Sequence, residues 1–171
     1  MSQISIWYER KFAFSFPVEL FPDIRMRLRG TPARLEEILG VHLVERVTNK
    51  PNGKWSAQEH AGHMLDLESL WLARVEDFVA NKTELTVADL TNRNTDEANY
   101  NAHPLKQILS DFRAARTKLL QRADNLDESL FARTILHPRL KIPMRLVDHL
   151  YFVAEHDDHH LARIWELIHT T

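Results

Sequence analysis

The chain has 171 residues, with 22 Lys plus Arg against 24 Asp plus Glu, a net charge of −2 and no cysteine. That length suits one domain, and the charge argues against a protein organised around nucleic-acid phosphates. The lack of cysteine excludes disulfide scaffolds, thiolate metal sites and a cysteine nucleophile, and 4 glycines are too few for a Gly-rich phosphate loop.

Glu9, Arg10 and Lys11 interrupt the first apolar stretch, Ile4 to Phe16, so no secretory leader is expected. No apolar run approaches the roughly 18 residues of a membrane-spanning helix, and a cytoplasmic location follows as the expectation. Within this stretch Phe12, Phe14 and Phe16 alternate, which fits a short strand or an extended arm packed on the body.

A first helix follows, with Asp23 as a candidate cap and Ile24, Leu28, Leu35, Ile38 and Leu39 at helical spacing. Gly30-Thr31-Pro32 should kink it or divide it into two abutting helices. Gly40 is a plausible stop, and Asn49 to Lys54 reads as a loop.

Ser56 and Glu59 then form a Ser-x-x-Glu capping box, in which each side chain satisfies a backbone N–H of the other residue. The stripe His60, His63, Met64, Leu67, Trp71, Val75 and Phe78 should face the core. Gln58, Asp66, Ser69, Glu76 and Asp77 should face water, with Arg74 at the edge.

Asn81 to Asn101 is a polar connection with room for short helical pieces. A third long helix opens at Pro104 and carries Leu105, Ile108, Leu109, Phe112, Leu119 and Leu126. Asp127 to Met144 reads as irregular, because Pro138 and Pro143 block regular structure. The last helix runs from about Arg145 to His169 with an inward stripe of Leu146, Leu150, Val153, His156, His160, Ile164 and Leu167. Four such patterns with long connections predict an all-α four-helix bundle over residues 1–171, with a short N-terminal arm.

Histidine, present 10 times, carries the chemistry. His156 and His160 stand four apart, which puts both imidazoles on one helix face, where they can chelate one cation. His63 interrupts the core stripe of another helix in the same way. Three neutral imidazoles could bind a divalent transition metal and leave a position open for water or substrate. All-imidazole ligation suits Zn, Ni, Cu or Fe without choosing among them. The alternative is that the three pack in the core and are satisfied by hydrogen bonds.

His60 could support a neighbouring ligand and His149 could line a cavity, but both are expected to pack; His159 and Asp158 are expected to be solvated; Asp157 could orient a neighbour or a partner surface but reads as a rim carboxylate; and Asp66 could join a two-His-one-carboxylate site but points off the stripe. The inward Glu and Glu-x-x-His set of a di-iron bundle is not found, and no Ser stands in a nucleophile elbow.

Lys54 to Met64 (KWSAQEHAGHM) and Phe152 to Ile164 (FVAEHDDHHLARI), with Arg29 to Leu35 and His137 to Leu140 in support, resemble the DinB-like (YfiT-like) superfamily of metalloenzymes. The resemblance spans nearly the whole chain. It implies an up-down-down-up four-helix bundle, a homodimer, and a metal held by one histidine of the second helix and a His-x-x-x-His of the last. Those positions fall on His63, His156 and His160. The implied activity is metal-dependent chemistry on a small-molecule substrate, with water or a low-molecular-weight thiol as nucleophile. A non-catalytic, stress-related metal-binding bundle is the alternative.

Overall fold

The computed structural model describes residues 4–169. Six helices appear among them: α1 Phe21–Leu39, α2 Val44–Val47, α3 Ala57–Val79, α4 Arg93–Glu97, α5 Leu105–Asp124 and α6 Leu146–His169. The four long ones form the bundle. α1 and α3 each pack against both α5 and α6, so α1 lies diagonal to α3 and α5 diagonal to α6.

Ion pairs and ring contacts set the directions. Arg27, paired with Glu155, and Arg34, paired with Asp158, climb α1 and α6 together, so these two run parallel. Glu68 with Arg116 and Glu76 with Arg122 do the same for α3 and α5. Arg25 with Asp124 and Glu36 with Arg113 run in opposite order, as do His63 with His156 and Trp71 with His149. The bundle is therefore up-down-down-up. A parallel pair of helices needs a long crossing, and the 80–104 connection supplies it between α3 and α5.

The predicted interruption of α1 does not occur. Pro32 lies inside one continuous helix, Phe21–Leu39. Proline lacks an N–H, so the carbonyl four residues back, Leu28, loses its helical partner. Arg116 Nη1 of α5 donates to that oxygen at 3.2 Å, and Pro32 is accommodated by a neighbouring helix. Asp23 stands in the first turn rather than at the cap, where a carboxylate still complements the helix dipole.

The capping box at Ser56 and Glu59 forms in full, with bonds of 3.0 and 2.8 Å. Gln58 departs from the expected solvated face: its amide donates to the carbonyls of Tyr100 and His103, at 2.7 and 2.8 Å, and ties the crossing loop to α3. Asp77 is buried for a similar reason, accepting from Thr86 N and Lys82 Nζ, each at 2.6 Å. Gly62 admits the loop closely, since a Cβ there would lie 2.1 Å from the Tyr100 ring.

The stretch expected to be irregular contains a two-stranded antiparallel pair, β1 Thr134–Leu136 and β2 Pro143–Arg145, with Ile135 opposite Met144 and both buried. Pro143 sits at the end of its strand, opposite Leu136, where a missing N–H is tolerated. Three-residue strands are too short to show alternation in sequence. β2 leads directly into α6, whose first turn is closed by Asp148, which accepts the Arg145 backbone N–H at 2.8 Å.

The N-terminal segment is an arm containing one 3₁₀ turn, Trp7–Glu9, not a strand. Trp7, Phe12, Phe14 and Phe16 pack on the larger of two core clusters, and Arg145 Nη2 holds the Phe16 carbonyl at 2.9 Å. No helix among the described residues is long and apolar enough to cross a membrane.

Candidate metal centre

His63 comes from α3, and His156 and His160 from α6, which runs antiparallel to it. One ligand atom from each lies within 4.8 Å of the others, and all three residues are buried. His156 Nε2 and His160 Nε2 are 3.1 Å apart. Two donors on one ion at 2.0–2.1 Å stand about 3.0–3.4 Å apart, so the donor set fits a transition metal in type, and the His156–His160 pair fits it in spacing as well. No other side chain joins the group among the described residues.

The ring tautomers follow from the outer partners. Asp66 accepts from the Tyr100 hydroxyl at 2.5 Å and from the Thr95 hydroxyl at 2.8 Å. A carboxylate only accepts, so the Thr95 hydrogen is committed to it and Thr95 Oγ1 must accept from His63 Nδ1–H, at 3.1 Å. The lone pair of His63 is then on Nε2. This is a carboxylate-to-histidine relay of the kind that orients metal-binding imidazoles, carried through one hydroxyl. Asp66 is not a member of the cluster, as its spacing predicted, but it governs the histidine that is.

His60 Nδ1 lies 2.9 Å from His160 Nδ1. One of the two must donate, and a proton on His160 Nδ1 leaves Nε2 bare toward His156. The expectation that His60 merely packs is thus corrected. The antiparallel crossing brings the first turn of α3 against the third histidine, a relation that spacing along one helix cannot reveal.

Burial keeps these rings neutral. It pulls His63 down to about 4 and His60 to about 3, and holds His156 and His160 well below the ordinary histidine value. Neutral imidazole is the form that coordinates.

The centre forms one wall of a pocket of ≈ 260 Å³. Trp7 from the arm meets the His156 ring edge-on and the His159 ring at a tilt, at 5.1 and 5.5 Å between ring centres. Trp55 lies 4.8 Å from His63, and Trp71 5.5 Å from His156. His159 is therefore half-buried beneath the arm, not solvated, and burial holds it at about 4. His149 is fully buried against Trp71 and Phe78, outside the pocket lining.

Asp157 is no rim carboxylate. It accepts from Arg116 at 2.5 Å and from Thr31 at 2.8 Å, while Arg116 also pairs with Glu68 at 2.5 Å. Burial pushes the Glu68 carboxyl upward against the pull of Arg116. This sealed cluster joins all four long helices one residue from His156. Asp158 lies at the surface, paired with Arg27 and Arg34.

The family profile described as the DinB superfamily matches residues 27–164. The chain belongs to the DinB superfamily. YfiT from Bacillus subtilis, described as a probable metal-dependent hydrolase with an unusual four-helix bundle topology, superposes with a TM-score of 0.80 over 93% of this chain and 91% of its own. At 20% identity that likeness speaks to the fold. No curated protein matches the chain by sequence.

Within the DinB fold, the residues that spacing singled out meet in space, and several that it did not single out surround them. Thr95 was hidden in a polar loop without periodicity. Trp7 was hidden in an arm whose docking has no sequence signal. Arg116 and Glu68 stood on helix faces that read as ordinary amphipathic patterns.

Proposed function

We propose that this DinB protein is a metal-dependent hydrolase of small molecules, with a divalent transition metal, Zn, Ni or Fe, held by His63, His156 and His160. One observation carries the reading. Three neutral imidazoles converge without a fourth side-chain ligand among the described residues, and they do so on the wall of a pocket. Three protein ligands beside open space is the arrangement of catalytic rather than structural sites. YfiT, which shares the fold and is described as a probable metal-dependent hydrolase, points the same way.

A divalent ion supplies Lewis acidity there, acidifying water and polarising a substrate oxygen. The remaining work falls to the chain. Thr95 and Asp66 hold the His63 ring, and His60 holds His160. Trp7 and Trp55 shield the centre from bulk water. His159 lines the same pocket, where an imidazole can carry a proton.

The absence of cysteine fits a nucleophile from outside. That nucleophile is water in this reading; a low-molecular-weight thiol would make the protein a transferase. The reading also takes the chain as a single domain acting in the cytoplasm as a homodimer.

Elemental analysis of untagged protein purified without chelator is the direct test. We expect stoichiometric metal in wild type, and its loss in His160→Ala with helical content retained. Unchanged metal in that variant would remove the ligand set. Metal without hydrolysis of esters or amides, with or without added thiol, would favour the non-catalytic alternative.

A further inference from the structure

The pocket extends away from the histidines to a second polar end, which the metal chemistry does not use. Arg139 stands in the turn between β1 and β2, with its guanidinium over the rings of Tyr8 and Phe152, at 5.5 and 5.8 Å. Its Nη2 is buried without a hydrogen-bond partner among the described residues. A buried donor left unmatched carries its full desolvation cost.

Arg74 of α3 reaches the same end and is 2% exposed. Its Nε donates to the Thr86 carbonyl at 2.9 Å. Asp77, one turn away, is taken up by Thr86 N and Lys82.

His137 supplies the decisive detail. Its Nδ1 accepts the backbone N–H groups of Arg139 and Leu140, at 3.2 and 3.1 Å. An accepting Nδ1 carries no proton, so the neutral ring bears its proton on Nε2. That Nε2 lies 3.3 Å from Arg74 Nη1. Both atoms are donors, so the contact is not a hydrogen bond. It is a pair of donors that one acceptor could satisfy together. Asp89, the carboxylate at the pocket, is not that acceptor, since it is engaged by Thr91 and Arg93 N in its own loop.

We propose that Arg139, Arg74 and His137 Nε2–H bind an oxyanion group, carboxylate or phosphate, of the small molecule that enters this pocket. Paired guanidinium and imidazole donors suit such an anion in both charge and geometry. The body of the ligand is flat or apolar. Trp71 touches both ends, 5.5 Å from the His156 ring and 5.5 Å beneath the Arg74 guanidinium. Phe152 lies beside His137 at 5.5 Å and one helical turn before His156. An anion seated on the arginines thus directs the rest of the molecule along these rings toward the three histidines. In this respect the inference builds on the proposed function and names the substrate class.

Titration with benzoate, phenyl phosphate and neutral benzamide, followed by calorimetry and tryptophan fluorescence, tests it. The protein is used both metal-loaded and chelator-treated. We expect the two anions to bind at least about tenfold more tightly than benzamide in both forms, since one charge-assisted bond is worth at least that. Which anion binds tighter identifies the group. Arg139→Gln, in a partly exposed turn, should weaken anion binding by about tenfold or more, and Arg139→Lys should recover part of it. Equal binding of benzamide, or anion binding unchanged in a folded Arg139→Gln, overturns the proposal. Metal content read on the same samples separates the two ideas. Anion binding by a protein that holds no metal would leave this site standing and remove the hydrolase reading.

Discussion

Thr95 shows how much can rest on one hydroxyl. It links an acceptor-only carboxylate, Asp66, to a ring whose free nitrogen must face the centre. Thr95→Val keeps the shape and removes the link, so His63 can adopt the wrong tautomer. Outer partners of this kind are worth about 10–100-fold in metal affinity. Competition against a chromophoric chelator should show that loss with no fall in melting temperature larger than one hydrogen bond accounts for. Unchanged affinity would mean the His63 ring is held by packing alone. Spacing along α3 picks out His63 and puts Asp66 off the stripe. Both statements hold of the residues singly, yet the relay between them runs through a residue 29 positions further on in sequence.

The four long helices are held to one another by a buried ionic cluster at their centre. Arg116 from α5 reaches Glu68 of α3, Asp157 of α6 and the Leu28 carbonyl of α1, and it is 1% exposed. It thus serves two carboxylates and the carbonyl orphaned by Pro32. Arg116→Met leaves two buried carboxylates without a counter-ion and should cost about 3–5 kcal/mol, read as a lower urea midpoint. Replacing Arg116, Glu68 and Asp157 together by apolar residues should restore much of that loss, because ion-pair burial is costly in itself. A single variant as stable as wild type would show that the cluster contributes nothing net. From sequence, Asp157 reads as a rim carboxylate, and Arg116 and Glu68 as polar positions of ordinary amphipathic helices. Only the up-down-down-up order brings them to one point. The same order explains why α1 survives its proline.

For the molecule as a whole, many neutral histidines in the interior make stability depend on pH. His60 and His137 are held down to about 3, and His63 and His159 to about 4, chiefly by burial. In the unfolded chain they titrate near 6.5. The folded state therefore binds fewer protons between these values, and stability falls as pH falls. The contribution is complete above about pH 6.5 and is lost progressively as pH drops toward 4 and then 3. Urea unfolding of metal-free protein between pH 8 and pH 4.5 should show a falling midpoint across the lower half of that range. A flat profile would mean the rings already carry charge in the native state. Divalent metal should steepen the dependence, since protons and metal compete for the same nitrogens.

Periodicity alone determined the four long helices, the capping box at Ser56 and Glu59, and the placing of His63, His156 and His160 on inward faces, because each depends on residues a turn or two apart. Motif resemblance added the bundle order and the family. The tertiary structure decided the rest: that His60 supports His160, that Thr95 and Asp66 orient His63, that Trp7 covers the site, and that Arg74, His137 and Arg139 meet at its far end. These relations join residues separated by tens of positions or more. They exist only once loops have crossed and helices have chosen partners, and no local pattern encodes where an arm docks or which polar side chain it leaves unmatched.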